Sequence, residues 1–557
     1  MMHFSTRAAI VLAVVLAACS KSGEFPVAPV AAEKLAVAST TPPAATMSVD
    51  ADHAYAGIAW KQAASDADVD AAFATARAES KPVFLYWGAK WCPPCNQVKV
   101  TLFNRQDFIE RSRAFVPVLV DGDSPGAQKL GTRFRVSGYP TMLLFSPAGE
   151  EVTRLPGEVD PARYNEVLNL GMNAVRPVKA ILADALAGGT DLRADDWRLL
   201  AFYSWDTDQQ QLLAKDKVAP TLARLAAACP TDQTDTAMRL RLKALAARAA
   251  TAPAKADPAA QNAVLALLAD RAAAREQADL LFGSAADIVR ALAARSSPQR
   301  ARLVPAFDTA LQRFEADTTL SRADRMQALI ARVDLVRIDM ADDDAGAAAK
   351  PAPLPHLPEA LLAEVREQTA RADREISDGY ERQAVITAAA YLLEHSGLSS
   401  ESDTLLKANL AKSHSPYYLM SELASNAKRR GDKAEALRWY REAFEKSEGP
   451  ATRLQWGSSY LNALVDLTPA DEAAIEAASL QIWREAATQP DAFEQRSGRS
   501  LQRAGTRLLA WSKGGAHAAT MARLRGELET LCRRDGRPDA ERAICGKLLT
   551  PAPKTSA

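Results

Sequence analysis

The stretch of sequence that decides the fold runs from residue 81 to residue 95 and reads KPVFLYWGAKWCPPC. Its first half is a continuous apolar run, which is typical of a strand buried on both faces of a sheet. Its second half ends in Cys92 and Cys95, and a segment of helical character follows. Two cysteines at the first turn of a helix predict a redox-active dithiol, because the unpaired backbone N–H groups there favour the thiolate. We therefore expect Cys92 to be the attacking thiol and Cys95 to resolve the mixed disulfide.

Strand and helix signals alternate on both sides of this stretch. Strands are predicted at residues 58–60, 81–87, 115–120, 141–145 and 151–154, and helices at residues 66–79, 93–102, 106–113, 124–134 and from 161 onward. This order corresponds to a βαβ half followed by a ββα half. After residue 178 the composition changes to Ala, Leu, Arg, Asp and Glu with helical periodicity. The sequence therefore predicts a multidomain protein, an α/β domain followed by a large all-α region.

A second motif, formed by Tyr139, Pro140 and Thr141, lies at the start of the strand predicted at residues 141–145. With the WCPPC motif, it makes residues 57–178 similar to thioredoxin-fold domains, in particular the periplasmic thioredoxin-like domains typified by the C-terminal domain of the DsbD reductases. The resemblance implies that the bond before Pro140 is cis, a form that is essentially confined to proline. It also implies that Trp91, Tyr139, Pro140 and Thr141 contact the substrate chain. The alternative is that Trp91 and Pro140 are plain packing residues with no contact to a substrate.

Two positions depart from the thioredoxin pattern. That family has a buried aspartate six residues before the first cysteine and a lysine on the neighbouring strand, where this chain has Tyr86 and Pro117. Proton transfer to and from the second cysteine would then use water or another group, with Asp121, Asp123 and Lys90 as candidates. We expect slower turnover or a narrower range of substrates.

The residues between the cysteines bear on the direction of electron flow. Strongly oxidising members of the family often carry a histidine there, which stabilises the thiolate, whereas Pro93 and Pro94 offer neither a donor nor a charge. Because a stabilised reduced form is what makes a thiol pair an oxidant, we expect a reducing or isomerising role on protein disulfides. Reduction in an oxidising compartment needs an electron donor, and the resemblance implies an inner-membrane reductase.

The N-terminus has the pattern of a secreted lipoprotein. An apolar stretch over residues 8–18 follows Arg7 and is too short to span a bilayer. It ends in Leu-Ala-Ala-Cys at residues 16–19, which resembles the lipobox of bacterial lipoproteins, so residues 1–18 are a predicted signal peptide and Cys19 is a predicted lipidation site that anchors the chain to a bilayer. Ser20, in place of an aspartate, favours the outer over the inner membrane, with the body of the protein in the periplasm. An ordinary signal peptide with an incidental cysteine is the alternative.

Composition divides the rest of the chain. We predict a flexible Ala/Pro-rich tether over residues 19–56, a helical domain over 179–340, a Pro/Asp-rich linker over 341–357, a second helical domain over 358–550 and a disordered tail over 551–557. In the second helical domain, small and aromatic residues have the spacing of a tetratricopeptide repeat, namely Met420, Leu423, Ala424, Ala427, Gly431, Ala436, Tyr440 and Ala443. A helical hairpin that shares this spacing by chance is the alternative.

Three further cysteines remain. Cys532 and Cys545 flank a polar turn in a helical region, and in an oxidising compartment they form a candidate structural disulfide. Cys229 is left over, and we expect it to be a small buried apolar residue rather than a reactive thiol.

Charge and histidine content exclude several classes of partner. The chain has 68 basic and 68 acidic side chains, and this zero net charge argues against nucleic acid as a partner. Its six histidines are scattered and no cluster has the spacing of metal ligands, so we expect neither a metal nor a cofactor. A zinc site at Cys92 and Cys95, which would need two further ligands, is a minor alternative.

Two functions are compatible with this organisation. The first is a lipid-anchored periplasmic thiol-disulfide oxidoreductase that acts on protein dithiol and disulfide clients. The second is an envelope scaffold whose helical region binds partners, with the thioredoxin fold as an accessory binding module. The intact cysteine pair favours the first.

Overall fold

The computed structural model of the 557-residue chain describes residues 57–157, 160–189, 191–249, 257–339, 356–533 and 539–550. The signal peptide, the lipidation site Cys19, the tether and the tail that the sequence predicts lie outside the described residues, as do residues 341–355 of the predicted linker.

The first part of the described chain, from residue 57 to residue 172, is an α/β domain. Its elements in chain order are β1 (Lys61–Gln62), α1 (Asp66–Glu79), β2 (Val83–Gly88), α2 (Pro93–Val98), a π-helix (Lys99–Phe103), α3 (Gln106–Arg111), a 3₁₀-helix (Ser112–Ala114), β3 (Val116–Asp121), α4 (Ala127–Arg133), β4 (Thr141–Phe145), β5 (Glu151–Leu155) and α5 (Pro161–Met172).

The strands form one sheet in the order β1-β3-β2-β4-β5. The central strand β2 runs parallel to β3 and antiparallel to β4, and all six of its residues are buried, as its continuous apolar sequence predicts. Phe84 and Tyr86 face one core, whereas Leu85 and Trp87 face the other, because successive side chains of a strand point to opposite faces. The loop after Gly88 therefore leaves from the middle of the sheet and carries the cysteines.

The predicted strands and helices of the α/β domain are present in the predicted order, most bounds shift by one to three residues, and two elements differ in kind or pairing. The first strand covers Lys61–Gln62 instead of residues 58–60, because these two residues pair with β3, while the side chain of Ile58 packs in the core. The helix after the cysteines leaves the α form at Val98 and continues as a π-helix. The wider turn displaces the residues that follow around the helix axis.

The rest of the described chain, from residue 178 to residue 550, is helical, and we call it the helical body. Its helices are α6 (Val178–Ala187), α7 (Ala194–Phe202), α8 (Lys215–Ala228), α9 (Thr234–Ala249), α10 (Pro258–Ala269), α11 (Arg271–Glu276), α12 (Ala278–Leu292), α13 (Pro298–Ala316), α14 (Arg322–Val336), α15 (Glu359–Glu375), α16 (Gly379–His395), α17 (Ser399–Asn409), a 3₁₀-helix (Leu410–Lys412), α18 (Pro416–Arg429), α19 (Lys433–Lys446), α20 (Pro450–Leu467), α21 (Glu472–Ala487), α22 (Gln495–Trp511), a 3₁₀-helix (Lys513–Gly515), α23 (Ala518–Cys532) and α24 (Asp539–Lys547). The predicted fold class, an α/β domain followed by a large helical region, is confirmed. Within the described part of the chain, no helix is both long and apolar enough to cross a bilayer.

Hydrophobic cores cross the boundary between the α/β domain and the helical body. Phe202 of α7 lies in the core under one face of the sheet, and Leu170 of α5 lies in the first core of the helical body. The helix α14 is shared in the same way, since Val333 packs with α15 and α16 whereas Leu335 packs with α12 and α13. Neighbouring parts of the molecule are therefore held together by shared apolar burial.

A helical hairpin lies where the repeat-like spacing predicts one. The helices α18 and α19 pack against each other and turn at Gly431, whose φ of 78° suits glycine. The residues of the predicted spacing on both helices are buried, namely Met420, Leu423, Ala424, Ala427, Ala436, Tyr440 and Ala443. Their assignment to the tetratricopeptide repeats stays a prediction.

A disulfide joins the last two helices of the described chain. It links Cys532 at the end of α23 to Cys545 in α24, with 5.6 Å between the two Cα atoms. This separation lies within the range of about 4.4–6.8 Å that disulfides require.

Candidate redox site

Cys92 is the N-cap residue of α2, and Pro93 and Pro94 occupy the first two helical positions. Proline suits these positions, because its fixed φ fits the helix and the first-turn N–H groups have no intrahelical acceptor. The backbone N–H of Cys95 donates to Sγ of Cys92 over 3.3 Å. The two cysteines form a disulfide, with their Cα atoms 5.2 Å apart. In the reduced state, the same donor and the helix N-terminus favour a thiolate on Cys92.

Residues expected to contact a substrate lie next to this disulfide. The peptide bond between Tyr139 and Pro140 is cis, and Thr141, the first residue of β4, donates from Oγ1 to the carbonyl of Gly138 over 2.9 Å. The rings of Trp91 and Tyr139 meet edge to face at 6.2 Å, and both pack on the apolar cluster that the two cysteines form. The structure thus brings the tryptophan, the tyrosine and the cysteine pair into one site.

The two positions at which thioredoxin has a buried aspartate and a lysine carry Tyr86 and Pro117 in this chain, and both lie in apolar surroundings. Tyr86 is fully buried, with its ring centre 4.8 Å from that of Phe103 and 6.0 Å from that of Trp60. Pro117 lies on β3 directly opposite Phe84. Neither position offers an acid or a base that titrates near neutral pH.

Two charged groups that attract each other lie near the redox helix, namely Lys99, which is buried, and Asp121, which is half-buried. Burial raises the pKa of Asp121. Burial also lowers the pKa of Lys99, in the π-helix, to about 8, although the attraction of Asp121 opposes this shift. The ammonium of Lys99 lies 4.9 Å from the ring centre of Tyr380 on α16, whereas Lys90 is exposed. Sequence reasoning missed Lys99, and its position one helical turn after Cys95 is the signal that could have found it.

Asp123, the third group that the sequence offered for proton transfer, is engaged in hydrogen bonds. Its carboxylate accepts from Nε1 of Trp91 over 2.9 Å, and from the backbone N–H and Oγ1 of Thr452 over 2.8 and 2.6 Å. Both of its oxygens are therefore occupied. The role of Asp123 is to fix the indole of Trp91 and to join the α/β domain to the helical body.

Three residues of the helical body, all missed by sequence reasoning, close over the site. The ring of Tyr418 stacks on Trp91 with 5.7 Å between ring centres and 18° between planes, and Gln383 donates to the carbonyl of Trp91 over 3.2 Å. The guanidinium of Arg496 lies 4.4 Å from the ring centre of Trp91 and 5.6 Å from that of Tyr139. The helix α16 also packs on α2, and with the neighbours of their own domain the two cysteines are only 2% and 0% exposed.

Two further features bear on the chemistry, namely the possible metal ligands among the described residues and the free thiol of Cys229. The described residues hold no group of three or more His, Cys, Asp or Glu side chains that could bind a metal ion. Cys229 lies in the first core of the helical body, where burial raises the pKa of its thiol to about 11. Such a thiol is almost wholly protonated at neutral pH and is therefore a poor nucleophile.

Known proteins resemble the part of the chain that carries this site. A family model described as a thioredoxin-like domain matches residues 69–171. The thiol:disulfide interchange protein DsbD 1 of Pseudomonas aeruginosa is 33% identical over 113 residues, which are 20% of this chain and 19% of that protein. The DsbD protein of Pseudomonas fluorescens is 32% identical over 100 residues, 17% of each chain. Among solved structures, a thioredoxin from Thermus thermophilus matches 20% of this chain and 85% of its own, with 31% identity and a TM-score of 0.18.

Residues 69–171 therefore form a thioredoxin-like domain related to the DsbD thiol:disulfide interchange proteins, with the CPPC pair at disulfide distance. The relationship supports thiol-disulfide exchange as the chemistry of this pair. The chain spans about a fifth of the length of the curated relatives it matches, and the family match ends before the helical body.

Proposed function

We propose that the protein is a lipid-anchored periplasmic thiol-disulfide oxidoreductase that reduces or isomerises disulfides of specific client proteins. The observation that carries this proposal is the placement of Cys92 at the N-terminus of α2 in a thioredoxin-like domain, packed beside the tyrosine that precedes a cis proline. Trp91 and Tyr139 supply apolar surface for the client chain, and Pro140 and Thr141 supply backbone groups.

The reducing reaction proceeds in two exchanges. The Cys92 thiolate attacks one sulfur of the client disulfide, a bond forms between these two sulfurs, and the second client sulfur leaves as a thiolate that takes up a proton. The Cys95 thiolate then attacks Sγ of Cys92, which releases the first client sulfur as a thiol and forms the Cys92–Cys95 disulfide. Two electrons pass to the client. When a client thiolate resolves the mixed disulfide instead, Cys92 leaves reduced and the client is isomerised.

Regeneration and location complete the proposal. A dithiol donor must reduce the Cys92–Cys95 disulfide again, and we assign this role to an inner-membrane reductase. Acylation of Cys19 anchors the chain, with the outer membrane as the preferred site because Ser20 follows. Residues 19–56, whose composition predicts a tether, link Cys19 to the redox domain.

One observation favours the alternative, an envelope scaffold in which the helical body binds partners and the thioredoxin-like domain is an accessory module. The helical body is the larger part of the chain, and it buries the cysteine pair almost completely. A scaffold does not need an accessible dithiol.

Trapping of mixed disulfides in the bacterial envelope tests the proposal. Full-length Cys95→Ser is expected to form adducts with client proteins that reductant releases, because the resolving thiol is missing while Cys92 still attacks. Adding Cys92→Ser should remove these adducts, whereas adding Cys229→Ser should leave them, since that thiol is buried. Failure of Cys95→Ser to give any Cys92-dependent adduct would overturn the oxidoreductase proposal, and partners that co-purify equally without both cysteines would support the scaffold.

A further inference from the structure

The face of the α/β domain that carries Cys92 is buried against four helices of the helical body. These helices are α16, α18, α20 and α22, and we call them the cover. Disulfide exchange requires that a client sulfur reach Sγ of Cys92, which is only 2% exposed. A client chain cannot make this approach while the cover is in place.

An aromatic contact joins the cover to the redox loop. The stack of Trp91 on Tyr418 continues into Trp456, whose ring meets Tyr418 edge to face at 5.9 Å. Trp91 itself packs against the main core of the helical body. The residue expected to offer apolar surface to a client is therefore already partly buried against the same chain.

Polar contacts around Asp123 add to the aromatic one. The carboxylate binds Thr452 through both its backbone N–H and its hydroxyl, and Arg496 approaches the same carboxylate at 3.4 Å. Gly449, at the start of α20, has a φ of 87°, and a Cβ there would lie 2.6 Å from Cβ of Asp123. The cover fits so closely at this point that only glycine can be accommodated.

A second set of hydrogen bonds ties the cover to Tyr139. The backbone N–H of Gln128 donates to Asp491 over 2.8 Å, and the backbone N–H of Arg496 donates to Oε1 of Gln128 over 2.9 Å. The amide of Gln128 also donates to the hydroxyl of Tyr139 over 2.9 Å. Movement of α22 therefore disturbs the residue that precedes the cis proline.

We propose that the cover makes the redox site selective, with Tyr418, Thr452 and Arg496 holding it closed over Cys92. Exchange then occurs with clients that displace the cover, and not with protein disulfides in general. A displacing client must replace the buried contacts that close the site with contacts of its own. Such a client carries a surface that binds the helical body in addition to its disulfide. The inference rests on the proposed oxidoreductase function and adds the feature that restricts its substrates.

The test compares insulin, a protein disulfide that has no reason to bind the helical body, with dithiothreitol, a small dithiol. Thr452→Val keeps the shape of the side chain and removes one buried donor to Asp123, which should favour the open state about tenfold. With the Cys92–Cys95 pair first reduced to the dithiol, we expect full-length Thr452→Val to reduce insulin about tenfold faster than the wild type treated in the same way. Thr468→Val, at the C-cap of the same helix, is the matched control, because its hydroxyl donates to the carbonyl of Leu464 inside the helical body.

Dithiothreitol separates the two proposals. The rate at which it reduces the Cys92–Cys95 disulfide should change far less than the insulin rate, since a small molecule needs only a local opening. Tyr418→Ala, which removes the stack on Trp91, is the second opening variant. If the folded variants reduce insulin no faster than the wild type while dithiothreitol reduces all of them, the cover inference is wrong. If dithiothreitol cannot reduce the pair in any of them, the proposed function itself fails.

Discussion

Among the charged residues near Cys92, Asp123 is not available for proton transfer. Its carboxylate binds the indole of Trp91 and the helix start at Thr452, so it acts as a connector between the two parts of the molecule. Asp121 and Lys99 differ, because burial shifts the pKa of both towards neutrality. Lys99, whose pKa is lowered to about 8, is suited to exchange protons near neutral pH and interacts with Asp121, so this pair is the better place to look for a substitute for the family aspartate that Tyr86 replaces.

His414 provides a pH dependence that can be measured. It lies just before α18, with Nδ1 3.0 Å from Oγ of Ser415 and its ring centre 5.1 Å from that of Tyr380. Burial, with the positive charges of Lys99 and Lys90, lowers its pKa to about 4. The unfolded chain takes up this proton near pH 6.5, whereas the folded protein keeps the ring neutral down to about pH 4. The contribution of the neutral His414 ring to the free energy of unfolding is therefore complete above pH 6.5, and it is lost as the pH falls from 6.5 to about 4.

We expect His414→Gln to reduce the pH dependence of stability. Between pH 7 and pH 5, the free energy of unfolding should fall by about 2 kcal/mol more in the wild type than in this variant. Urea unfolding followed by tryptophan fluorescence at both pH values measures the difference. His356→Gln removes an exposed histidine and should keep the wild-type dependence. An identical loss of stability in the wild type and in His414→Gln would show that the buried ring contributes nothing.

Only part of the site could be predicted from the sequence. Cys92, Cys95 and Trp91 belong to one short motif, and the motif around Tyr139 lies at a fixed place relative to the sheet, so local patterns suffice to bring them together. Tyr418 could not be found in this way, because its contact with Trp91 joins positions more than 300 residues apart. Periodicity shows which face of α18 is buried, and not which surface covers it.

At the scale of secondary structure, local signals account for most of the α/β domain. The helix α1 has the bounds that its pattern predicts, since Ser65 and Asp68 form a capping box at its start and Ser80 ends it in the left-handed conformation. The π-helix over Lys99–Phe103 could not be predicted, because the amino-acid composition does not indicate where a helical turn contains an additional residue. That short segment carries Lys99, the charged residue that sequence reasoning missed.

The disulfide between α23 and α24 is expected to stabilise the end of the helical body. It links cysteines 13 positions apart, and a loop of this size restricts the unfolded chain by about 3 kcal/mol. Replacing both Cys532 and Cys545 by Ser should therefore lower the midpoint of thermal unfolding. Calorimetry in a background that lacks Cys92 and Cys95 isolates the effect. Reductant should then lower the midpoint of the background protein to that of the variant and leave the variant unchanged, and equal midpoints without reductant would contradict the prediction.

At the scale of the whole molecule, the helical body holds the α/β domain at two separate places. The cover lies over the cysteines, whereas α7 inserts Phe202 into the core that also contains Phe84 and Phe103. Ion pairs between Arg163 and Glu276 and between Arg275 and Asp160 strengthen the second attachment. The cover can therefore open at the redox site while α7 keeps the α/β domain attached to the rest of the chain.

This second attachment predicts where a stable fragment must end. A fragment of residues 57–178 lacks Phe202 and leaves a cavity in the core, and loss of a buried phenylalanine costs about 3–5 kcal/mol. A fragment of residues 57–212 keeps α7, and its midpoint of thermal unfolding should lie about 10 °C higher. Phe202→Ala in the longer fragment should remove most of this gain, because α7 remains but its core side chain does not. Equal midpoints for the two fragments would mean that the α/β domain folds independently of α7.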